Sequence, residues 1–207
     1  MPPKPTYPKP ARHLPAEERL VAAALDLILE NGGCRGVNLR QIAARAGCAH
    51  TNAYNYFDSL EHLFWAAVLR AVELQLADTA RQMQAPAAAA DPLRAFLAAQ
   101  VAFAQKNPGL YRLFWLEALT GAPPPAELER LGEARALWVR HLGGRLAALR
   151  SRTDPAWAGQ IVHGYFHGEV CKLIGRRAFV PKSADDRDRI VDNTLALTDL
   201  VATAGPR

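Results

Sequence analysis

The sequence predicts an all-α protein, with a three-helix head built around a helix-turn-helix and a larger helical body. Three observations carry this expectation. Residues 38–57 hold two short helical patterns that meet at Gly47. Leu39, Ile42, Ala43 and Ala46 keep the spacing of one buried helical face, and Ala49, Ala53 and Phe57 supply a second, shorter one. Further on, Asp91-Pro92, Asn107-Pro108 and Asp154-Pro155 each set a capping side chain before a proline, which starts a helix where no amide hydrogen is missed. Finally, no segment alternates polar and apolar residues as a half-buried strand would.

The elements follow in order. Residues 1–15 form a proline-rich arm with Lys4, Lys9 and Arg12 and no acid, so an extended, disordered basic segment is expected. Such an arm either follows a DNA groove or is an untethered terminus. The head spans residues 16–60. Its first helix covers about residues 16–31, with Pro15 at the first helical position and Glu17 and Glu18 at the positive end of the dipole. Leu20, Ala24, Leu27 and Ile28 form its apolar stripe, and Gly32-Gly33 stops it. The body spans residues 61–207. Ser59 caps a long helix to about Met83, with Leu63, Phe64, Ala67, Val68 and Ala71 facing inward. Residues 85–90 read as a linker and residues 121–125 as another break, while Ser183 with Asp186 resembles a capping box for a last helix to about Ala202. About nine helices are expected.

Half of the 207 residues are apolar, enough to bury a real core, and the formal net charge of +5 favours a polyanionic partner. Between Glu30 and Asp58 the only charges are Arg35, Arg40 and Arg45, so this stretch meets a phosphate backbone without a repelling carboxylate. Double-stranded DNA is therefore the leading partner. No apolar run approaches eighteen residues and the first fifteen lack a signal-peptide core, so no membrane is expected and the cytoplasm is the expected location. Cys34, Cys48 and Cys171 show no CxxC spacing and read as reduced thiols. With three serines, no GxSxG, no GxGxxG, no Walker loop and no HExxH, neither catalysis nor a cofactor is expected.

Residues 38–63 resemble the head of the TetR family of bacterial one-component regulators, whose pattern runs T-x-x-x-I-A-x-x-A-G-V-S-x-x-x-x-Y-x-Y-F-x-S-K-E-x-L. The matching residues are Asn38, Ile42, Ala43, Ala46, Gly47, Cys48, Ala49, Tyr54, Tyr56, Phe57, Ser59, Leu60, Glu61 and Leu63. Four of them, at three places, depart from the usual choice. Asn38 replaces the capping threonine and still offers an oxygen; Cys48-Ala49 replaces Val-Ser and removes a hydroxyl; Leu60 replaces a lysine and removes a phosphate contact. More loosely, residues 107–114 and Val162-His163-Gly164 are similar to elements of some TetR-type ligand domains.

What the resemblance implies is a homodimeric repressor on a palindromic operator, released by a small apolar effector. The third helix would lie in the major groove. Its contacts to DNA would come from Ala49, His50, Thr51, Asn52, Tyr54, Asn55 and Tyr56, with Arg40 from the helix before it. Arginine forks onto guanine, either asparagine can pair with adenine, His50 can donate to guanine, and the tyrosine hydroxyls suit phosphate, although Tyr54 also fits a core position beside Phe57. Effector contacts are expected from Phe103, Tyr111, Phe114, Trp115, Trp138, Tyr165 and Phe166, residue types that equally build cores. The dimer interface would use the last two long helices, about residues 155–177 and 184–202, through His163, Gly164, His167, Gly168, Ile190 and Thr194.

His163, His167 and Cys171 share one helical face, a pattern that also suits metal ligands. A third ligand eight residues from the first lies about 12 Å along the axis, too far for one ion to touch all three. No metal is expected there.

Overall fold

In the computed structural model the described residues are 14–117, 119, 121, 123, 125–175, 183 and 185–204. The basic arm thus lies, through residue 13, outside the described residues. Among those described there are ten helices and no strand: α1 (Ala16–Asn31), α2 (Leu39–Ala46), α3 (His50–Ala53), α4 (Leu60–Gln82), α5 (Pro86–Ala90), α6 (Pro92–Lys106), α7 (Pro108–Trp115), α8 (Pro125–Ala148), α9 (Pro155–Ile174) and α10 (Asp186–Ala204).

Local chemistry sets most of these boundaries. α1 ends where Gly32 enters the left-handed region at φ 72°, a conformation glycine adopts without a Cβ penalty, and the Gly33 amide then reaches the Ile28 carbonyl at 2.9 Å. Pro15 stands one residue earlier than expected, as the N-cap. The proline-marked starts at Pro92, Pro108 and Pro155 all appear. Asp91 accepts from the Arg94 amide, and Asp154 accepts from the amides of Ala156 and Trp157. Asn107, by contrast, makes no side-chain cap bond and is buried. The stretch read as a linker instead forms α5: Pro86 occupies its first turn and the alanines that follow have the highest helix propensity. At α10, Ser183 donates its amide hydrogen to Asp186 at 2.8 Å, half of the expected capping box.

The chain divides into two compact units. One runs to Leu74 and takes in Lys106–Leu131; the other holds Gln75–Gln105 and everything from Gly132 onward. In the first, α1 packs on both α2 and α7. Leu20, Ala24, Ile28, Ile42, Ala53, Phe57 and Leu63 are fully buried there, the larger of them each contributing about 1.5 to 3 kcal/mol. Leu25 is buried in the place expected for Leu27, which is only half-buried. Gly109 permits the close approach of α7, because a Cβ there would stand 2.6 Å from the Ile28 carbonyl oxygen. Arg112 completes the join by donating to the Gly32 carbonyl at 2.6 Å, satisfying an end of α1.

In the second unit α9 packs on α10, with Leu97, Leu142, Val162, Phe166, Ile190, Val191 and Thr194 in the core. The buried side chains of Gln100, Thr194 and Thr198 in this unit are paired. Gln100 donates to Thr79 at 2.8 Å and accepts from Gln75, while the hydroxyls of Thr194 and Thr198 turn back onto their own helix at 2.6 and 2.8 Å. No helix of the described residues is long and apolar enough to cross a membrane.

Candidate nucleic-acid interface

The head is assembled from its caps outward. Asn38 accepts from the Gln41 amide at 3.0 Å, and the Gln41 side chain accepts from the Asn38 amide at 3.0 Å, so the two close a capping box at the start of α2. The other end of α2 stops at Gly47, whose φ of 67° lies in the left-handed region, and the Cys48 amide reaches back to Ala43 at 2.9 Å. This turn directs the chain into α3 at a fixed angle. Ala53 and Phe57 then anchor the segment, both essentially without exposed surface.

Around those anchors the surface is polar. Ala49, His50, Thr51, Asn52, Tyr54, Asn55 and Tyr56 are exposed, with 53% of Tyr54 and 40% of Tyr56 open to solvent, and Arg40 is exposed on α2. Ala49 was expected in the buried set with Ala53 and Phe57; it is exposed because it precedes α3 as an extended N-cap residue, at φ −67° and ψ 141°. Tyr54 likewise lies outside the core, where its ring meets His50 edge to face at 5.5 Å. Asn55 donates to the Asn52 side-chain oxygen at 2.7 Å. Behind this segment Ser59 caps α4 by accepting from the His62 amide at 3.0 Å.

Two structural roles were invisible in the sequence. Arg45, one of three cations in the stretch without acids, is committed to Glu30 of α1 through two bonds of 2.9 Å. Beside that pair Asp26 is pushed up to about 6 by burial, against the pull of Arg45 and with a further push from Glu30. Arg19 of α1 donates to the Cys48 sulfur at 3.5 Å, which fixes α1 to the turn between α2 and α3. In the same unit burial and a hydrogen bond to Glu117 push the Cys34 thiol up to about 12. No local periodicity signals any of these partners.

The aromatic residues expected to meet an effector fall into two groups. Tyr111, Phe114 and Trp115 lie on α7, with ring centroids 6.3 Å apart for Tyr111 and Trp115 and 4.5 Å for Phe114 and Trp115. Trp138 of α8 meets Phe96 at 5.0 Å, His163 at 4.9 Å and Phe166 at 5.1 Å, while Phe103 is buried and Tyr165 half-buried. Burial, with a smaller contribution from His167, holds the His163 imidazole down at about 4. His163 and His167 stack at 5.9 Å, and a His167 ring nitrogen lies 3.5 Å from the Cys171 sulfur.

Of the positions expected at a dimer interface, Gly164 is exposed, and His163, His167 and Gly168 are half-buried. Ile190 and Thr194 have no exposed surface at all. They are core residues of the chain itself, because α10 turns that side onto α9. The exposed side of α10 runs through Asp192, Asn193, Ala196 and Leu200.

A short helix with a polar exposed face, set by a glycine turn on a capped and buried support, defines a DNA-binding regulator of the helix-turn-helix class. No family model matches the chain. It is 33% identical over 157 residues to the HTH-type transcriptional regulator RutR of Escherichia coli (strain K12), an alignment covering 70% of this chain and 71% of that protein. The chain belongs to the TetR family of transcriptional regulators. Solved structures agree in fold. A TetR-like transcriptional regulator from Rhodococcus sp. RHA1 superposes with a TM-score of 0.62 at 18% identity, over 94% of this chain and 100% of the other. The fatty acid degradation regulator FadR from Bacillus halodurans gives 0.66 at 18%, over 90% and 95%. RolR, solved in complex with resorcinol, gives 0.59 at 20%, over 93% and 95%.

Proposed function

We propose that this chain is a homodimeric cytoplasmic repressor that grips a palindromic operator through two heads and releases it when a small apolar molecule binds the body. In this reading residues 16–60 are the DNA-binding domain, residues 61–207 bind the effector and dimerise, and residues 1–15 are a basic arm. The observation that carries it is the exposed set Arg40, Ala49, His50, Thr51, Asn52, Tyr54, Asn55 and Tyr56, which surrounds the buried anchors Ala53 and Phe57 and includes no carboxylate. A surface of donors, acceptors and one guanidinium suits base edges and phosphates together.

One head spans only a few base pairs, so tight binding calls for two, on half-sites about one helical turn apart. The outer sides of α9 and α10 offer exposed Ile161, Gly164 and Leu200 and half-buried Gly168 to a second copy, and the two glycines would let the backbones come close. RolR, solved in complex with resorcinol, a small aromatic diol, supports a small-molecule effector for the body. Such a ligand acts only by its differential affinity for the two arrangements of the heads.

Selection of bound fragments from random duplex DNA, repeated with small phenols and fatty acids added, tests the proposal. A palindromic consensus is expected, with affinity that falls steeply as salt rises and falls again with one class of additive. A strictly monomeric protein that ignores every duplex at low ionic strength would remove the basis for it.

A further inference from the structure

We infer that His167 and Cys171 are half of a zinc site, which the same two residues of a second copy complete as a centre of two histidines and two cysteines bridging the two bodies. The inference rests on the homodimer proposed above.

Three observations carry it. The first is the pair itself: His167 Nε2 lies 3.5 Å from Cys171 Sγ and Nδ1 lies 3.9 Å from it, so either nitrogen is close enough to share an ion with the sulfur. In a tetrahedral site with about 2.1 Å to nitrogen and about 2.3 Å to sulfur, two such corners stand about 3.5 Å apart. The length of helix that keeps one ion from touching both His163 and Cys171 places no bar on this pair. The second observation is that one chain supplies too few ligands. Among the described residues no group of three or more histidines, cysteines and carboxylates is placed to hold a metal ion, and two ligands leave a structural zinc site half built.

The third is the surface around the pair. Gly164, Gly168 and Cys171 stand at i, i+4 and i+7 on one side of α9, with Gly164 exposed and the other two half-buried. A Cβ at Gly164 or at Gly168 would meet nothing within 4 Å among the described residues, so the chain's own packing calls for neither glycine. Glycine weakens a helix interior relative to alanine, and what it permits in return is close approach by another backbone. Helices pack about 8 to 10 Å apart, and contact at glycines lies at the lower end of that range, where short cysteine side chains from two copies reach one ion. Cys171 is less than one turn beyond Gly168. Thiolate with imidazole selects zinc over magnesium and calcium, which seek oxygen, and each thiol gives its proton to solvent as the metal binds.

The test takes the untagged full chain, stripped with chelator, and titrates it with cobalt(II) and with zinc, beside Cys171→Ser, His167→Gln and His163→Phe, all checked for native helicity and thermal unfolding. The native chain should take one ion per two chains, with the intense visible bands of tetrahedral cobalt and a sulfur-to-cobalt band in the near ultraviolet. Loss of an outer-shell partner alone costs about 10- to 100-fold in affinity, so Cys171→Ser and His167→Gln, which each remove two ligands per dimer, should weaken zinc by more than about a hundredfold. Cys171→Ser should also abolish the sulfur band, while His163→Phe keeps the stoichiometry and the bands. Should a variant fail to fold, the native stoichiometry and sulfur band decide alone. One ion per chain, zinc binding that survives Cys171→Ser, or dependence on His163 in place of Cys171 would overturn the bridging site. A native chain that sediments as a dimer and takes up no zinc would overturn it too, leaving the homodimer intact. A chain that stays monomeric with and without zinc would instead overturn the homodimer, and the site with it.

Discussion

Arg45 and Glu30 form a two-pronged ion pair, each guanidinium nitrogen lying 2.9 Å from a different carboxylate oxygen, that binds α2 to α1. Both partners are partly open to solvent, so the pair itself is worth about 1 kcal/mol or less. Its larger consequence is positional. α2 sets the angle at which α3 leaves the turn, and one of the three arginines in the acid-free stretch is unavailable to phosphate.

Asp26 beside this pair gives a pH dependence with a definite sign. Its carboxyl is raised from 3.8 to about 6, chiefly by burial. Between about pH 4 and pH 6 the unfolded chain releases this proton and the folded chain keeps it, so stability falls as pH rises through that window. Asn in its place should remove the slope and raise the unfolding temperature at pH 7. Arg45→Ala should extend the window upward, since Arg45 opposes the shift. Thermal unfolding at half-unit pH steps checks both, and an unchanged slope in Asp26→Asn would count against the assignment.

His163 works in the other direction. Its folded value of about 4 lies below the ordinary 6.5. As pH falls through that interval the unfolded chain takes up a proton that the folded chain refuses, and stability is lost. His141 and His167, also lowered by burial, add to the same loss. His163→Phe keeps a ring against Trp138 and should make the acid limb shallower. Circular dichroism of native and variant proteins from pH 7 to pH 4 reads the difference.

Gly109 and Gly132 should respond oppositely to alanine. At Gly109 the new Cβ would stand 2.6 Å from the Ile28 carbonyl oxygen and 3.2 Å from the Leu29 Cα, so α1 and α7 must part, at a cost of about 1 to 3 kcal/mol. At Gly132, within α8, nothing lies within 4 Å, and alanine should stabilise by about 0.5 to 1 kcal/mol. Denaturant midpoints decide it; equal shifts at both sites would refute the close packing of α7 on α1.

In the proposed reading Arg40 serves base recognition and Tyr56 phosphate anchoring, and their variants separate the two roles. Arg40→Ala should weaken binding to the selected operator by about 1 to 3 kcal/mol and relax one base position. Tyr56→Phe, which removes only a hydroxyl, should weaken all sequences alike. Equal loss on operator and random duplex for Arg40→Ala would move that residue to the phosphate class.

Much of the architecture was legible because its signals are short-range. Asn38, Ser59, Asp154-Pro155 and Gly47 each act on groups within four residues, so the ends of α2, the start of α4 and the start of α9 could be read from the chain itself. The exposure of the polar residues around Ala53 and Phe57 was legible for the same reason, and that of Ala49 was not. Asn107 and residues 85–90 show the limit: burial took Asn107 out of the capping role, and helix propensity turned a presumed linker into α5.

The amino-acid order by itself thus determined the helical class, the glycine hinge and the polar surface around Ala53 and Phe57, since each follows from backbone geometry and near-neighbour hydrogen bonds. Tertiary packing alone decided that Arg45 serves Glu30, that Arg19 meets Cys48, that α7 lies on α1, and that Ile190 and Thr194 belong to the interior of the chain's own fold. Those partners lie far apart in the chain, and which of them meet depends on how apolar faces are shared out when the helices close on one another.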